Sequence, residues 1–327
     1  MQAITCEDCA ASCPSIGSAA AYGQIRYTAP QPQIQRGRMR PHFIAVLTVL
    51  ALGRMTLPVQ AQQRGPIIDM HVHTNTTLVP DRNVQSLIAA MDESHVVKAF
   101  LSGSLEDVHS WSAAAPGRFI PSLMFPVFGM EGFPNLDSLR AEYLAGRLQG
   151  MGEITSQYLG IPPNAPSLEP YFALAEELDV PVLIHMAGGG APYPTFRLSA
   201  GHPLLLEEVL VRHPRLRIYL ENAGYPFLHE MIALMYQYPQ VYADLSTITR
   251  IVPREAFHDY LRALTRAGFG ERLMFGTDGG PSQLPQAVEA IESASFLTDE
   301  QKADIFYNNA ARFLRLSDEE IARHHGR

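Results

Sequence analysis

The sequence predicts an α/β protein folded as a single (β/α)8 TIM barrel with a C-terminal helix, and three observations predict it. From Gln62 onward, short apolar, β-branched runs alternate with longer helical patterns, the rhythm of strand-helix units around a parallel sheet. Eight such units fall within about 250 residues, the usual size of a closed barrel. Polar residues sit toward the C-terminal ends of the strand runs, where barrel enzymes gather their active sites. An open doubly wound sheet shares the alternation, and the placement of the polar residues favours closure.

In chain order the strand runs are PIIDMHV (66–72), VVKAFLSG (96–103), FIPSLMF (119–125), GMGEI (150–154), PVLIHM (181–186), LRIYLEN (216–222), QVYADLS (240–246) and RLMFGTD (272–278). Helical patterns lie between them, among them DRNVQSLIAAMDE (81–93), SLEPYFALAEEL (167–178), HPLLLEEVLVRH (202–213), REAFHDYLRALTRAG (254–268) and PQAVEAIESA (285–294). Ser167 stands at a capping position, and Gly268 at a normal helix stop. There is no low-complexity linker after residue 62 and no repeat beyond this rhythm, so 62–327 reads as one domain.

Residues 1–61 read differently. Arg40 precedes the apolar run FIAVLTVLAL (43–52), and VQA (59–61) offers small residues at a cleavage position. This predicts a secretory signal peptide over 39–61, translation from Met39, and a non-native or disordered extension over 1–38. A buried core helix is the bland alternative. About 10 apolar residues are too few to cross a hydrocarbon core that needs roughly 20, so no stable membrane insertion is expected once the signal is removed. Cys6, Cys9 and Cys13 all lie in 1–38, in a C-x2-C-x3-C pattern with no apparent fourth ligand. The remaining chain has no cysteine, which suits a periplasmic or secreted protein.

Taking the five arginines and two acidic residues of 1–61 from the chain's 25 basic and 33 acidic residues leaves a net charge of −11. With no basic stripe, nucleic acid is excluded as a partner. The expected partner is a small-molecule substrate, and an exposed apolar patch would argue for a homodimer.

In IIDMHVHTN (67–75), His71 and His73 are two apart, so on a regular strand they face one side while Met70 and Val72 face the other. Two imidazoles pointing one way can chelate one ion. His185 ends an apolar strand, where a titratable group must find a partner; a hydrogen-bonded core histidine is the plain reading. Glu153 follows glycines that leave room for an ion, or else pairs with an arginine. Asp278 in FGTDGG ends the last strand, where a turn aspartate is also common. Their occurrence at separate strand ends favours one metal site.

That order, H-x-H on strand 1, Glu on strand 4, His on strand 5 and Asp on strand 8, resembles the amidohydrolase superfamily, specifically its amidohydrolase-2 branch of aminocarboxymuconate semialdehyde decarboxylase-like proteins. GEITSQYLGIPP, YFALAEELDVPVLIHMAGG, HPLLLEEVLVRHPRLRIYL and IFYNNAARFLRL read like that branch, from about Ile67 to Leu316. The resemblance implies that His71, His73, His185 and Asp278 surround a divalent metal, most often zinc, with Glu153 as a ligand or its neighbour. On strand 6, where the branch commonly has histidine, Asn222 stands in LENAGYP. Asn222 is no proton shuttle and a poor zinc ligand, so one ion is expected rather than two; Glu221 would compensate only in a different register.

These parts imply a metal-dependent hydrolase of an amide, ester or lactone. The metal acidifies water toward a pKa of about 7, Asp278 takes the proton as general base, and Asn222 stabilises the oxyanion. A nonoxidative decarboxylase of an aromatic or unsaturated acid is the alternative, and a weakened barrel acting as a binding protein is a third reading. Loop 187–201 is expected at the barrel mouth; Gly188 to Gly190 read as a hinge or close approach rather than a phosphate loop. Arg197, Gln157 and Tyr158 are the further substrate-binding candidates.

Overall fold

All eight strands form one parallel sheet whose order follows the chain: β1 (Ile67–His73), β2 (Val96–Gly103), β3 (Phe119–Phe125), β4 (Gly150–Ile154), β5 (Val182–Ile184), β6 (Ile218–Leu220), β7 (Val241–Asp244) and β8 (Leu273–Met274). This is a computed structural model, and it describes residues 65–74, 83–126, 132–186, 188 and 193–326. The expectations for 1–61, and part of the Gly188 to Gly190 run, lie outside those residues. The last strand returns to the first: the Met70 amide donates to Phe275 O at 2.9 Å and the Asp278 amide to His71 O at 2.8 Å, beside a Val72–Gly279 bridge. The barrel therefore closes.

Around it run α1 (Val84–Glu93), α2 (Leu105–Ala114), α3 (Leu136–Leu144), α4 (Glu169–Leu178), α5 (Glu207–Arg212), α6 (Leu228–Gln237), α7 (Ile248–Ile251), α8 (Arg254–Arg266) and α9 (Leu284–Glu292). Three short helices follow, α10 (Asp299–Ala303), α11 (Asn309–Leu314) and α12 (Asp318–His324). Ser167 does not cap α4; Leu168 holds that position without a side-chain bond, and a proline in the first turn pre-sets the backbone instead. The 202–213 pattern splits into a 3-10 turn, Pro203–Leu206, followed by α5. Gly268, at φ +93°, ends α8 as expected.

Two apolar layers hold the barrel. The outer one packs strands against helices, and the inner one fills the lower barrel with Ile68, Met70, Phe100, Ile120, Leu183, Tyr219 and Met274, joined by Tyr307 and Phe313. Above this plug the interior becomes polar.

Two register shifts make that change. In β1 the pairing steps from Asp69–Ala99 to Val72–Leu101, three residues against two. Regular alternation therefore fails: Met70 joins the inner plug, Val72 packs in the outer layer, and His71 and His73 point into the upper barrel. The expected grouping of Met70 with Val72 is corrected by this bulge, which re-aims the side chains beyond it. In β4 the pairing with β3 steps from Leu123–Met151 to Phe125–Ile154, at Gly152 and Glu153. Gly152 has φ +113°, and a Cβ there would lie 2.2 Å from Leu183 O, so the close approach of β5 requires glycine.

Candidate metal centre

Above the inner plug, buried side chains from six strand ends converge. Asp69 pins the first of them. Its Oδ1 accepts from the His71 amide at 3.1 Å and the Thr277 amide at 3.0 Å, and its Oδ2 from the Thr277 hydroxyl at 2.8 Å. One carboxylate thus shapes the β1 bulge and ties it to the turn that presents Asp278. Burial pushes Asp69 up to about 7 even though these bonds favour its charged form.

Asp244, at the end of β7, orients the first histidine. Its Oδ1 accepts from the amides of Asn222 and Ser246, each at 3.0 Å, and from the Ser246 hydroxyl at 2.6 Å. Its Oδ2 lies 3.3 Å from His71 Nδ1. A proton on Nδ1 leaves the Nε2 lone pair facing inward, the arrangement found behind metal-ligating histidines.

His71 Nε2, His73 Nε2, Glu153 Oε2 and Asp278 Oδ1 form a compact group. The two histidine nitrogens are 3.1 Å apart; Glu153 Oε2 lies 3.6 and 3.2 Å from them, and Asp278 Oδ1 lies 3.6 and 3.0 Å from them. Tetrahedral zinc with ligands at 2.0–2.2 Å sets donor atoms about 3.3–3.6 Å apart. The donor set and its spacing therefore fit a divalent cation.

The electrostatics point the same way. Burial opposes charge on His71 and His73, yet the carboxylates of Asp278, Glu153 and, for His71, Asp244 raise both above the ordinary imidazole value. Against burial, the histidines hold Glu153 well below the usual carboxylate range and Asp278 at about 2. The cluster wants positive charge at its centre, which a divalent cation supplies in place of protons.

His185 sits to one side, its Nδ1 2.7 Å from Glu153 Oε1 and against Glu221 Oε2. Glu221 is the strand 6 residue that enters the site. Asn222 follows at φ +54°, a left-handed conformation asparagine tolerates, and this turns its side chain away from the position expected for it. Asn222 Nδ2 donates to Glu221 Oε1 at 2.7 Å, while its Oδ1 accepts from Ser246 Oγ and the Ile248 amide, both at 3.2 Å. It braces the site from behind. Burial, joined by the charge of Glu153, pushes Glu221 up to about 8, and the two glutamates raise His185 to about 10 despite its burial.

The other candidates divide. The Tyr158 ring lies 4.7 Å from His185, with Tyr193 and Phe196 at 4.9 and 5.3 Å, forming an aromatic wall. Gln157 is buried and donates to Arg197 O at 3.2 Å, fastening one loop to another. Arg197 is exposed, and its Nη1 donates to the carbonyls of Pro194 and Phe196, at 3.0 and 2.8 Å, within its own loop. The cation beside the cluster is Arg250 on α7, whose Nη2 donates to Asp278 O at 3.0 Å and lies 3.5 Å from Asp278 Oδ2. Thr247 also donates to Asp278 Oδ2.

Sequence reasoning missed Asp69, Asp244, Thr247 and Arg250 as parts of this centre, and it admitted Glu221 only for a different register, the one the left-handed turn at Asn222 produces. Asp69 and Asp244 carried a signal, since each interrupts an apolar strand and a buried carboxylate needs partners. Thr247 and Arg250 carried none, because a β7 loop has no period to read.

Comparison with known proteins bears on the fold and the family. Over 139 residues, 37% of this chain, the sequence is 24% identical to Protein fluG of Emericella nidulans, a match spanning 16% of that protein. A crystal structure of a probable 2-pyrone-4,6-dicarboxylic acid hydrolase from Acinetobacter baumannii superposes with a TM-score of 0.58 at 18% identity, covering 76% of this chain and 99% of that one. That of 5-carboxyvanillate decarboxylase from Sphingomonas paucimobilis gives 0.53 at 16%, covering 77% and 99%. At such identities these likenesses show the barrel fold alone. The amidohydrolase family profile matches residues 61–316, the whole barrel with its H-x-H and closing aspartate, and the chain belongs to the amidohydrolase family.

Proposed function

We propose that the protein is a metal-dependent hydrolase that cleaves an amide, ester or lactone bond of a small molecule, with Asp278 as general base. The observation that carries this reading is exposure: the Asp278 side chain is 24% accessible, whereas those of His71, His73, Glu153, His185 and Glu221 are 0–5% accessible. Asp278 is the member of the cluster that water and substrate reach.

His71, His73, Glu153 and Asp278 would hold a divalent cation, zinc by the mix of nitrogen and carboxylate donors, and that ion would supply Lewis-acid polarisation of a carbonyl and acidification of water. Asp278 accepts the proton of the attacking water and returns it to the leaving nitrogen or oxygen. Thr247 and Arg250 hold the Asp278 carboxylate during that exchange. Among the described residues Arg250 Nη1 makes no hydrogen bond, and the side chain is 22% exposed, so it offers donors to a substrate oxygen. His71 is kept in one tautomer by Asp244, and Asn222 fixes Glu221.

A nonoxidative decarboxylase is the second reading, supported by the Tyr158, Tyr193 and Phe196 wall beside His185, which suits a planar unsaturated ring. Turnover of a panel of lactones, esters, amides and aromatic acids in 18O-labelled water separates the readings. Label in the product supports hydrolysis; carbon dioxide release without label supports the decarboxylase. Tight binding with neither supports a binding protein.

The export reading rests on the sequence of 39–61. N-terminal sequencing of the mature chain is expected to begin near Gln62, and a chain that retains FIAVLTVLAL in the cell would contradict it.

A further inference from the structure

We propose that a depression at the N-terminal mouth of the barrel, walled by Arg215, Arg217, Arg312 and Arg315, binds a compact multivalent anion, a phosphate ester or a polycarboxylate. Arg217 directly precedes β6, and Asp179, which lines the same depression, lies between α4 and β5. The metal centre stands at the opposite ends of the strands, so the inference is independent of the hydrolase reading.

The depression encloses about 580 Å3, in the usual range for a small-molecule pocket. Its four guanidiniums outnumber the carboxylates that answer them. Asp179 serves two, accepting at Oδ1 from Arg217 Nε at 2.9 Å and at Oδ2 from Arg315 Nη1. Glu177 is turned to Arg140, with bonds of 2.5 and 2.7 Å. Glu176 is turned to the His213 ring at 3.2 Å and to the Arg215 amide at 2.8 Å. Arg312 Nη1 meets neutral acceptors, Glu271 O at 3.1 Å and Asn309 Oδ1 at 3.3 Å. Among the described residues the exposed Arg215 guanidinium makes no hydrogen bond or ion pair, and it acts on Glu176 only at a distance.

This positive surplus is local, because the whole chain carries a net charge of −8. Burial, joined by the charge of Arg315, lowers Arg217 below its ordinary value although Asp179 opposes the shift. An anion with two or more charges relieves that crowding of cations. Guanidinium forks match the paired oxygens of phosphate and carboxylate, and Arg215 and Arg312 keep donors free for them. The half-buried Tyr242 and the buried Phe313, with rings 4.9 Å apart, give the depression an apolar side for the carbon skeleton of such a ligand.

The test is calorimetric titration of the full chain with 3-phosphoglycerate and with tricarballylate at low salt, where charge is least screened. The expectation is saturable binding of at least one of them, weakened about tenfold or more in Arg215→Ala and in Arg312→Ala, since each loses a hydrogen bond to a charged group. Arg215→Ala breaks no contact within the fold, and circular dichroism should be unchanged. Binding should persist in His73→Ala, altered at the metal centre, and in Arg197→Ala, altered in an exposed arginine of the other mouth. Binding of one probe alone supports the site and assigns its ligand as phosphate ester or polycarboxylate; binding of both supports it with charge as the determinant. No binding of either probe, or unchanged affinity in both depression variants, overturns the proposal. So does an equal loss in Arg197→Ala, which reduces the effect to net charge, or a loss in His73→Ala, which moves the anion to the metal centre.

Discussion

Asp69 in β1 and Thr277 beyond β8 are joined by two hydrogen bonds, amide to Oδ1 at 3.0 Å and hydroxyl to Oδ2 at 2.8 Å, across the seam where the barrel closes. The same carboxylate caps the His71 amide. Truncating it leaves two buried amides unpaired and the Thr277 hydroxyl with only its 3.2 Å bond to His71 O. Asp69→Ala should therefore cost roughly 2–4 kcal/mol in denaturant unfolding. Asp69→Asn should cost less, because it keeps an acceptor and Asp69 already titrates near 7. An alanine variant as stable as the parent would remove this residue from the account.

Asp244 is expected to act through His71. Replacing it by Ala frees His71 to rotate and to change tautomer, and metal affinity should fall about 10- to 100-fold. Competition with a fluorescent chelator measures this, and unchanged affinity would separate Asp244 from the centre.

Gly152 should tolerate no side chain. With φ at +113° and Leu183 O 2.2 Å from the position of a Cβ, Gly152→Ala forces β4 and β5 apart and moves Glu153 with them. Loss of about 3 kcal/mol or more, or failure to accumulate as soluble protein, is the expected result. Gly117, also at positive φ but with open space around it, serves as the control and should cost much less.

For substrate recognition, Arg250 and Arg197 make opposite predictions. Arg250→Ala should raise KM on the order of tenfold for a substrate that meets the guanidinium, since a hydrogen bond to a charged group contributes about 1.5–3 kcal/mol. Arg197→Ala should change it little, because that guanidinium serves its own loop. Steady-state kinetics of the two variants decide between them.

At the other end of the barrel, Lys98 is buried and pairs with Glu320 of α12 at 3.3 Å. Burial opposes charge on Glu320, but the Ser317 amide and Lys98 hold that carboxyl below its ordinary value. A depressed carboxylate stabilises the fold above its unfolded pKa, and that contribution is lost as pH falls through the folded value. Protection of the α12 amides against hydrogen exchange, relative to the intrinsic rate at each pH, should fall on acidification below about pH 4, the ordinary range of glutamate. In Glu320→Gln that protection should already be low at neutral pH.

How far the sequence could be read depended on regularity. Apolar runs mark β1 to β8 because parallel strands buried on both faces read as near-continuous hydrophobic segments, and His71, His73, Glu153 and Asp278 stand out at or just beyond the ends of such runs. The reading goes astray where the backbone leaves the regular strand. The β1 bulge breaks the Met70–Val72 pairing, and the left-handed turn at Asn222 brings Glu221 into the site instead. Arg250 escaped notice because α7 follows β7 through an irregular loop, whereas Arg197 drew attention only by being the cation in a long one. Asp244 and Asp69 were legible in principle, as lone charges in apolar strands.

We propose that His71, His73, Glu153 and Asp278 are the donors of a divalent cation. Calorimetric titration of chelator-stripped protein with Zn2+, comparing the unaltered chain with His73→Ala, tests it most directly. Saturable binding in the unaltered protein, weakened at least 100-fold in the variant while its thermal unfolding stays cooperative, is the predicted result, on the order of the 2.7 kcal/mol that two factors of ten represent. Equal affinity in both proteins, or no binding in the unaltered one, would contradict it.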